Sequence, residues 1–225
     1  QYYQLKSFFP DIDAELAYVA ENGAYIVDKQ REIYCGSLPE AEVKRVIEVI
    51  SRIEGVNFLV CGRKWAWMLA SAGEAFFNEM RVYYHMLEKI DSYDQIDDTV
   101  FKFALSYVED DVSTLMARIT EEVGDIVTPV SSGHGSVDLS IPGNHKANGI
   151  RRIQQIYGVA DNEVLAFGDG GNDLEMLRHA EFGFAMANGS AAAKAAASYA
   201  APANDEQGVL AVIDDMLLGH APFNA

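Results

Sequence analysis

Two carboxylates, Asp169 and Asp173, share one glycine-rich turn, Gly168-Asp-Gly-Gly-Asn-Asp173, and a lysine, Lys146, stands upstream in Asn144-His-Lys-Ala-Asn-Gly-Ile150. Two acids held in a tight loop repel each other unless a cation or a proton compensates. Mg²⁺ suits such a pair, because it takes a few carboxylates and fills its remaining positions with waters and substrate phosphate oxygens. Lys146 opens a predicted helix, where unsatisfied N–H groups already favour anions, and its charge adds to that preference. These residue types therefore suit a phosphate group beside a divalent cation. The simpler alternative is an ordinary strand–turn–helix junction with solvated acids.

The flanking elements make the first reading specific. Val164 to Phe167 is an apolar run of the length of a buried strand. Gly168 to Gly171 then turn the backbone, Asn172 or Asp173 caps a helix, and Leu174, Met176 and Leu177 give that helix an apolar side. Asp169 is thus predicted just past the carboxyl end of a strand, where open α/β sheets bind ligands. The neighbouring glycines let a ligand approach the backbone closely. Upstream, Val137-Asp-Leu-Ser-Ile141 reads as a strand and Pro142-Gly143 as a turn. The helix from Lys146 runs to Tyr157 with Ile150, Ile153 and Ile156 inward, and Gly158 ends it.

Elsewhere the pattern is an alternation of helices and strands. Residues 1–10 read as a helix, Asp11-Ile-Asp13 as a surface turn, Leu16–Ala20 as a short strand, and 24–36 as a hairpin. From Ser37 the order is helix 40–53, strand 57–61, helix 73–90, strand 100–108, helix 110–123 and strand 126–130. The helix over 73–90 carries an aromatic stripe (Phe76, Phe77, Tyr83, Tyr84) that reads as core. Residues 37–136 form a self-contained α/β unit between a first core segment, 1–36, and a second, 137–225. The second segment continues with strand 182–186, an alanine-rich helix to about Ala197, a short strand at Tyr199–Ala201 and a last helix, 206–217. Repeated strand–helix units imply an α/β fold, with a parallel sheet covered by helices on both faces.

The formal charge of −17 argues against nucleic-acid backbones and anionic membrane surfaces as partners. It also requires that Lys146 and a metal reverse the global sign locally if the ligand is a phosphate ester. Cys35 and Cys61 give no disulfide framework and read as core thiols. No apolar run reaches the ~18 residues of a membrane helix, and a cytoplasmic location is the default. No Gly-x-Gly-x-x-Gly follows any predicted strand, which disfavours a dinucleotide-binding domain.

Lys146-Ala-Asn-Gly-Ile150, followed by a strand and Gly168-Asp-Gly-Gly-Asn-Asp-Leu-Glu-Met-Leu177, resembles the third and fourth motifs of the haloacid dehalogenase (HAD) superfamily of phosphatases. The nearest likeness is to its Cof-type branch and to bacterial sugar phosphatases. The resemblance runs over essentially the whole chain, including Gln1-Tyr-Tyr-Gln-Leu5, Ala20-Glu-Asn-Gly-Ala24 and the terminal Pro222-Phe-Asn224. It implies a Rossmann-like, doubly wound core. It also implies that residues 37–136 are a cap domain that closes over the active site and selects substrate.

The implied reaction is Mg²⁺-dependent hydrolysis of a small phosphate ester, a sugar phosphate, through an aspartyl-phosphate. By the same resemblance Asp169 ligates Mg²⁺, and Asp173 holds the metal shell or orients Lys146. Lys146 neutralises the transferring phosphoryl oxygens, Asn172 hydrogen-bonds substrate or phosphate, and Asn22 shapes the loop beside the site. Asn22 also reads as a plain Asn-Gly turn residue, and His134 and His145 carry little weight as lone histidines.

The family's first motif, Asp-x-Asp-Gly-Thr, is absent, and so is the Ser or Thr of its second. Asp11-Ile-Asp13 is followed by Ala14-Glu15 and does not match. The expectation is that Gln1 follows a lost βαβ unit of ~30 residues or more, and that this chain alone is unstable and inactive. A phosphomutase of the same superfamily and a non-catalytic metal- or phosphate-binding module are the competing readings. Oligomeric state stays open.

Overall fold

The computed structural model describes residues 1–109, 111–133 and 135–224, and the chain divides into two compact units, 1–149 and 150–225. The first unit opens with helix α1 (Tyr2–Ser7) and strands β1 (Ala17–Ala20), β2 (Tyr25–Asp28) and β3 (Arg31–Cys35), which form an antiparallel sheet in that order. Lys29 and Gln30, between β2 and β3, take φ of +47° and +66°, the backbone hand that a two-residue hairpin connection needs. Asp11 and Ile12 lie in the exposed turn expected there, and Asp13 departs from it. Asp13 is buried, 3.1 Å from Lys6 Nζ, and accepts a 2.9 Å hydrogen bond from Gln30 Nε2.

The unit continues with α2 (Glu40–Ile50), β4 (Val56–Gly62), β5 (Ala66–Leu69), α3 (Gly73–Met80), β6 (Leu87–Ile90), β7 (Val100–Tyr107), α4 (Ser113–Val123), β8 (Thr128–Gly133) and β9 (Ser136–Ser140). The strands form one sheet in the order β6-β5-β4-β7-β9-β8. Successive side chains of a strand point to opposite faces, and β4 uses both. Phe58 and Val60 pack with Val46 and Ile50 of α2 and Leu115 and Ile119 of α4. Leu59 and Cys61 pack with Tyr25, Met68, Phe76 and Phe101. Both faces are covered, so β4 is a continuous apolar run rather than an alternating one.

The ladder between β4 and β7 slips by one residue: Cys61 pairs with Lys102 but Gly62 pairs with Val100, which leaves Phe101 as the extra residue of a bulge. β9 is hydrogen-bonded to β7 and β8, so this sheet extends through Ser140, past the boundary drawn at 136 from the sequence.

The helix expected over 73–90 stops at Met80, and 87–90 is instead β6, parallel to β5. Val82, Tyr83 and Tyr84 are β-branched or aromatic and lose side-chain freedom in a helix. Val82 and Tyr83 are exposed, so no burial offsets that loss.

The division between the units falls within α5 (Lys146–Tyr157). The second unit holds β10 (Leu165–Gly168), α6 (Leu174–His179), β11 (Phe182–Met186), α7 (Ala191–Ala196), β12 (Tyr199–Ala201) and α8 (Gly208–Leu217). β10, β11 and β12 form a parallel sheet in sequence order, with Phe184, Met186, Ala201 and Val212 at its core. Ile156 was expected inward and is 49% exposed. Gln154, about 200° around the helix from Ile156, is buried instead; its amide donates to Asp161 Oδ1 at 3.0 Å and its Oε1 lies 2.6 Å from His179 Nε2. A polar side chain with its partners in place is a stable interior residue. Among the described residues, no helix is long and apolar enough to cross a membrane.

Candidate active site

In the second unit the glycine turn has the form expected of it. β10 ends at Gly168, and Asp169 follows at the carboxyl end of a parallel strand. Asp169 is exposed, Asn172 half-buried and Asp173 only 4% exposed. The two acids therefore stand in different environments. Asp173 Oδ2 accepts the backbone N–H of Asp169 at 2.9 Å and of Gly170 at 3.0 Å, and these charge-assisted bonds fix the turn. Gly168 is required there, since a Cβ on it would stand 2.5 Å from Asp173 Cβ. On the other side, Ser190 N–H donates to the Asp169 carbonyl at 2.9 Å. The Asp169 backbone is thus clamped from two directions while its carboxylate is open to solvent.

Lys146 and Asn22 belong to the first unit, and here too the structure brings two sequence candidates together. Lys146 is the first residue of α5, half-buried, after a turn in which Asn144 N–H donates to the Ile141 carbonyl at 2.9 Å. The chain segment Glu21-Asn22-Gly23 lies against that helix start. A Cβ on Gly23 would stand 2.5 Å from the His145 carbonyl oxygen and 3.6 Å from Lys146 N. Asn22 Nδ2 donates to Asp138 Oδ2 at 2.8 Å. His134 lies outside the described residues.

Among the described residues no group of three or more His, Cys, Asp or Glu side chains gathers as a ready-made metal cage. Mg²⁺ does not demand one, since one or two carboxylates suffice when water and phosphate oxygens complete the shell. An exposed hard oxygen donor on a rigid turn, as Asp169 provides, fits that ion.

Sequence reasoning passed over Glu21, Lys102 and Asp138, which form a buried ionic cluster beside Asn22. The available signal was Lys102 itself, a charge inside the apolar strand Val100-Phe-Lys-Phe-Ala-Leu105. A charge in such a place requires a partner. The cysteines are core thiols as read: Cys61 is buried and Cys35 half-buried. Burial pushes the Cys61 thiol up to about 12 and the Cys35 thiol to about 11.

Comparison with known proteins gives the family and the fold. The family model of haloacid dehalogenase-like hydrolases matches residues 1–213. The chain belongs to that family. It is 44% identical over 224 residues to the 5-amino-6-(5-phospho-D-ribitylamino)uracil phosphatase YbjI of Escherichia coli, an alignment covering 100% of this chain and 83% of the relative. It is 27% identical to the phosphatase of the same description, YitU, of Bacillus subtilis, over 90% of this chain and 76% of the relative.

Among solved structures, SMU.1108c of Streptococcus mutans superposes with a TM-score of 0.91 at 30% identity, covering 96% of this chain and 82% of that one. A HAD subclass IIB sugar phosphatase shares the fold, with a TM-score of 0.80 at 22% identity over 94% of this chain and 79% of the other. The HAD-family member described here is thus an α/β phosphatase of the Cof-type kind.

Proposed function

We propose that this HAD-family phosphatase hydrolyses phosphate monoesters carried on polyhydroxylated carbon chains, sugar phosphates in particular, and that it requires Mg²⁺. The observation that carries the reading is the exposed Asp169 carboxylate at the end of a parallel strand, on a turn pinned by the buried Asp173. Asp169 would hold the ion, and a bound Mg²⁺ neutralises charge on phosphoryl oxygens. The work of Asp173 is to hold the turn. It fixes the two N–H groups beside Asp169, and so the direction in which the carboxylate points. Lys146 meets the anionic phosphoryl group at a helix start whose own N–H groups favour negative charge. Asn172, in the same turn as Asp169, would hydrogen-bond the phosphate, and Asn22 would border the substrate from the turn beside Lys146. Residues 37–136 would act as the cap that selects the ester. Phosphoryl transfer is mostly positioning and charge neutralisation, and these residues supply both.

The Escherichia coli and Bacillus subtilis relatives described above are named for a ribitylaminouracil phosphate, and that ester also carries its phosphate on a polyol chain. It therefore belongs to the proposed substrate class. The test is phosphate release from a panel of sugar phosphates and this ribityl ester, with Mg²⁺ and with chelator. The expected result is release that Mg²⁺ supports and chelator stops, with preference for a polyol ester. Release unaffected by chelator would overturn the metal assignment. Transfer of phosphate to another sugar hydroxyl rather than to water would make the protein a phosphomutase.

A further inference from the structure

Lys102 is a buried cation at the junction of three chain segments. Its Nζ lies 2.8 Å from Glu21 Oε2 and 3.2 Å from Asp138 Oδ1, and donates to Tyr84 Oη at 3.3 Å. Burial alone would drive a lysine neutral, but Asp138 and Glu21 outweigh it and hold the ammonium protonated well above its ordinary range. Ordinary alternation brings this β7 side chain to its place: Lys102 pairs with Cys61 and Ala104 with Leu59, so Lys102 and Ala104 share one side of the strand, and the bulge at Phe101 lies just beyond them. Lys102 and Asp138 then meet across the β7–β9 ladder, where Ala104 is directly opposite Asp138 and Lys102 is the diagonal neighbour.

The other end of the cluster is a strained turn. Glu21, Asn22 and Gly23 all take left-handed backbone, with φ of +52°, +52° and +86°. Only glycine adopts that region freely, and two other residues in a row persist there when their surroundings over-determine them. The surroundings here are Lys102 on Glu21 and Asp138 on Asn22. Gly23 in turn presses on the His145 carbonyl, one residue before Lys146.

We propose that Lys102 is a positioning residue for Lys146: through Glu21 and the Asp138–Asn22 bond it locks the Glu21–Gly23 turn, and the turn fixes the start of α5 from which Lys146 reaches the phosphate. Lys102 touches no substrate in this account. The inference rests on the reading of Lys146 as the phosphate-facing cation. A misplacement of about 1 Å at such a group is enough to cost roughly 100-fold.

The test is calorimetric titration of inorganic orthophosphate, with Mg²⁺ present, into the full-length protein and its Lys102→Met, Lys146→Ala and doubly substituted forms. Lys102→Met should weaken orthophosphate binding by roughly 10- to 100-fold. On the Lys146→Ala background the same change should have almost no effect, because the two act through one group. Additive losses, or wild-type affinity in Lys102→Met, would overturn the proposal. Wild-type affinity in Lys146→Ala would instead remove the phosphate-site reading and the proposal with it. Should loss of the buried cation unfold the protein, Asn22→Gly serves in its place. It permits the left-handed backbone and cuts the tie to Asp138. It must weaken orthophosphate binding with the same non-additivity, and unchanged binding there would also overturn the proposal.

Discussion

The two units hold their charged groups by opposite means. In residues 1–149, Lys102 and Glu21 are buried, and Lys102 is ion-paired to both Glu21 and the half-buried Asp138. In residues 150–225, Asp173 is buried with two backbone N–H donors and Asp169 is left in solvent. Buried ion pairs fix geometry strongly, but removal of one partner leaves an uncompensated charge in the interior. A peptide N–H cradle fixes geometry without a counter-ion, so the repulsion between neighbouring acids remains for a ligand to relieve. The first arrangement suits a part that must stay put, and the second suits a part that must bind a cation.

The sharpest test of this contrast is a pair of substitutions. Asp169→Ala should lower Mg²⁺-dependent turnover about 1000-fold while changing stability by no more than ~0.5 kcal/mol, as expected of an exposed side chain. Lys102→Met should destabilise by ~3–5 kcal/mol, the cost of breaking a buried pair. Parallel activity assays and urea melts read both, and equal destabilisation by the two would erase the distinction. Asp173→Ala sits between them. It removes two charge-assisted bonds, each worth about 1.5–3 kcal/mol, and should raise the Mg²⁺ concentration needed for half-maximal turnover by roughly 10–100-fold. An unchanged Mg²⁺ requirement would show that the cradle does not aim Asp169.

Acid should find the first unit's pairs. Burial pushes the Glu21 carboxyl up, but Lys102 and the Gln1 ammonium together outweigh it and hold the group below its ordinary 4.5. The unfolded chain therefore binds this proton more readily than the folded one. The stabilisation is fully present above about pH 4.5 and is lost as pH falls through the lower, folded value. Asp13, buried but held down by Lys6 and by the hydrogen bond from Gln30, acts in the same direction. The urea midpoint should thus drop below pH 4.5, and Glu21→Gln should flatten the curve. A curve of unchanged slope in that variant would remove Glu21 from the account. The smallest effect concerns Cys61. With its thiol pushed up to about 12, it should resist iodoacetamide at pH 8 in the native protein and react only on unfolding.

The site in the second unit was legible because each of its signals is local. Four apolar residues, a glycine turn and a cap define strand, loop and helix, and Asp169 falls where they say it must. The cluster in the first unit was not legible. Lys102 stands out as a charge inside the apolar run Val100–Leu105, but nothing there names its partners, Glu21 and Asp138, which are distant in the chain. Nothing in Glu21-Asn22 requires left-handed backbone, since that conformation is imposed from 116 residues away by Asp138. Residues 81–90 failed for a different reason. Aromatic spacing there fits a helix face, but the helix ends at Met80 and Leu87–Ile90 is held as β6 by its parallel pairing with β5, a tertiary contact that overrides local preference. Gln154 shows the reverse case, in which a polar residue takes the interior position because its partners Asp161 and His179 are waiting for it.

The slip at Phe101 also bears on how this strand can change over time. A strand that alternates sides counts its residues modulo two, and the extra residue resets that count partway along β7. Substitutions leave the count intact, whereas loss or gain of a single residue here would exchange inside for outside over part of the strand. Length at this point is therefore under tighter constraint than side-chain identity, and a pairwise alignment of relatives that opens a gap beside Phe101 would set lysines against residues that never occupied the same side of the sheet.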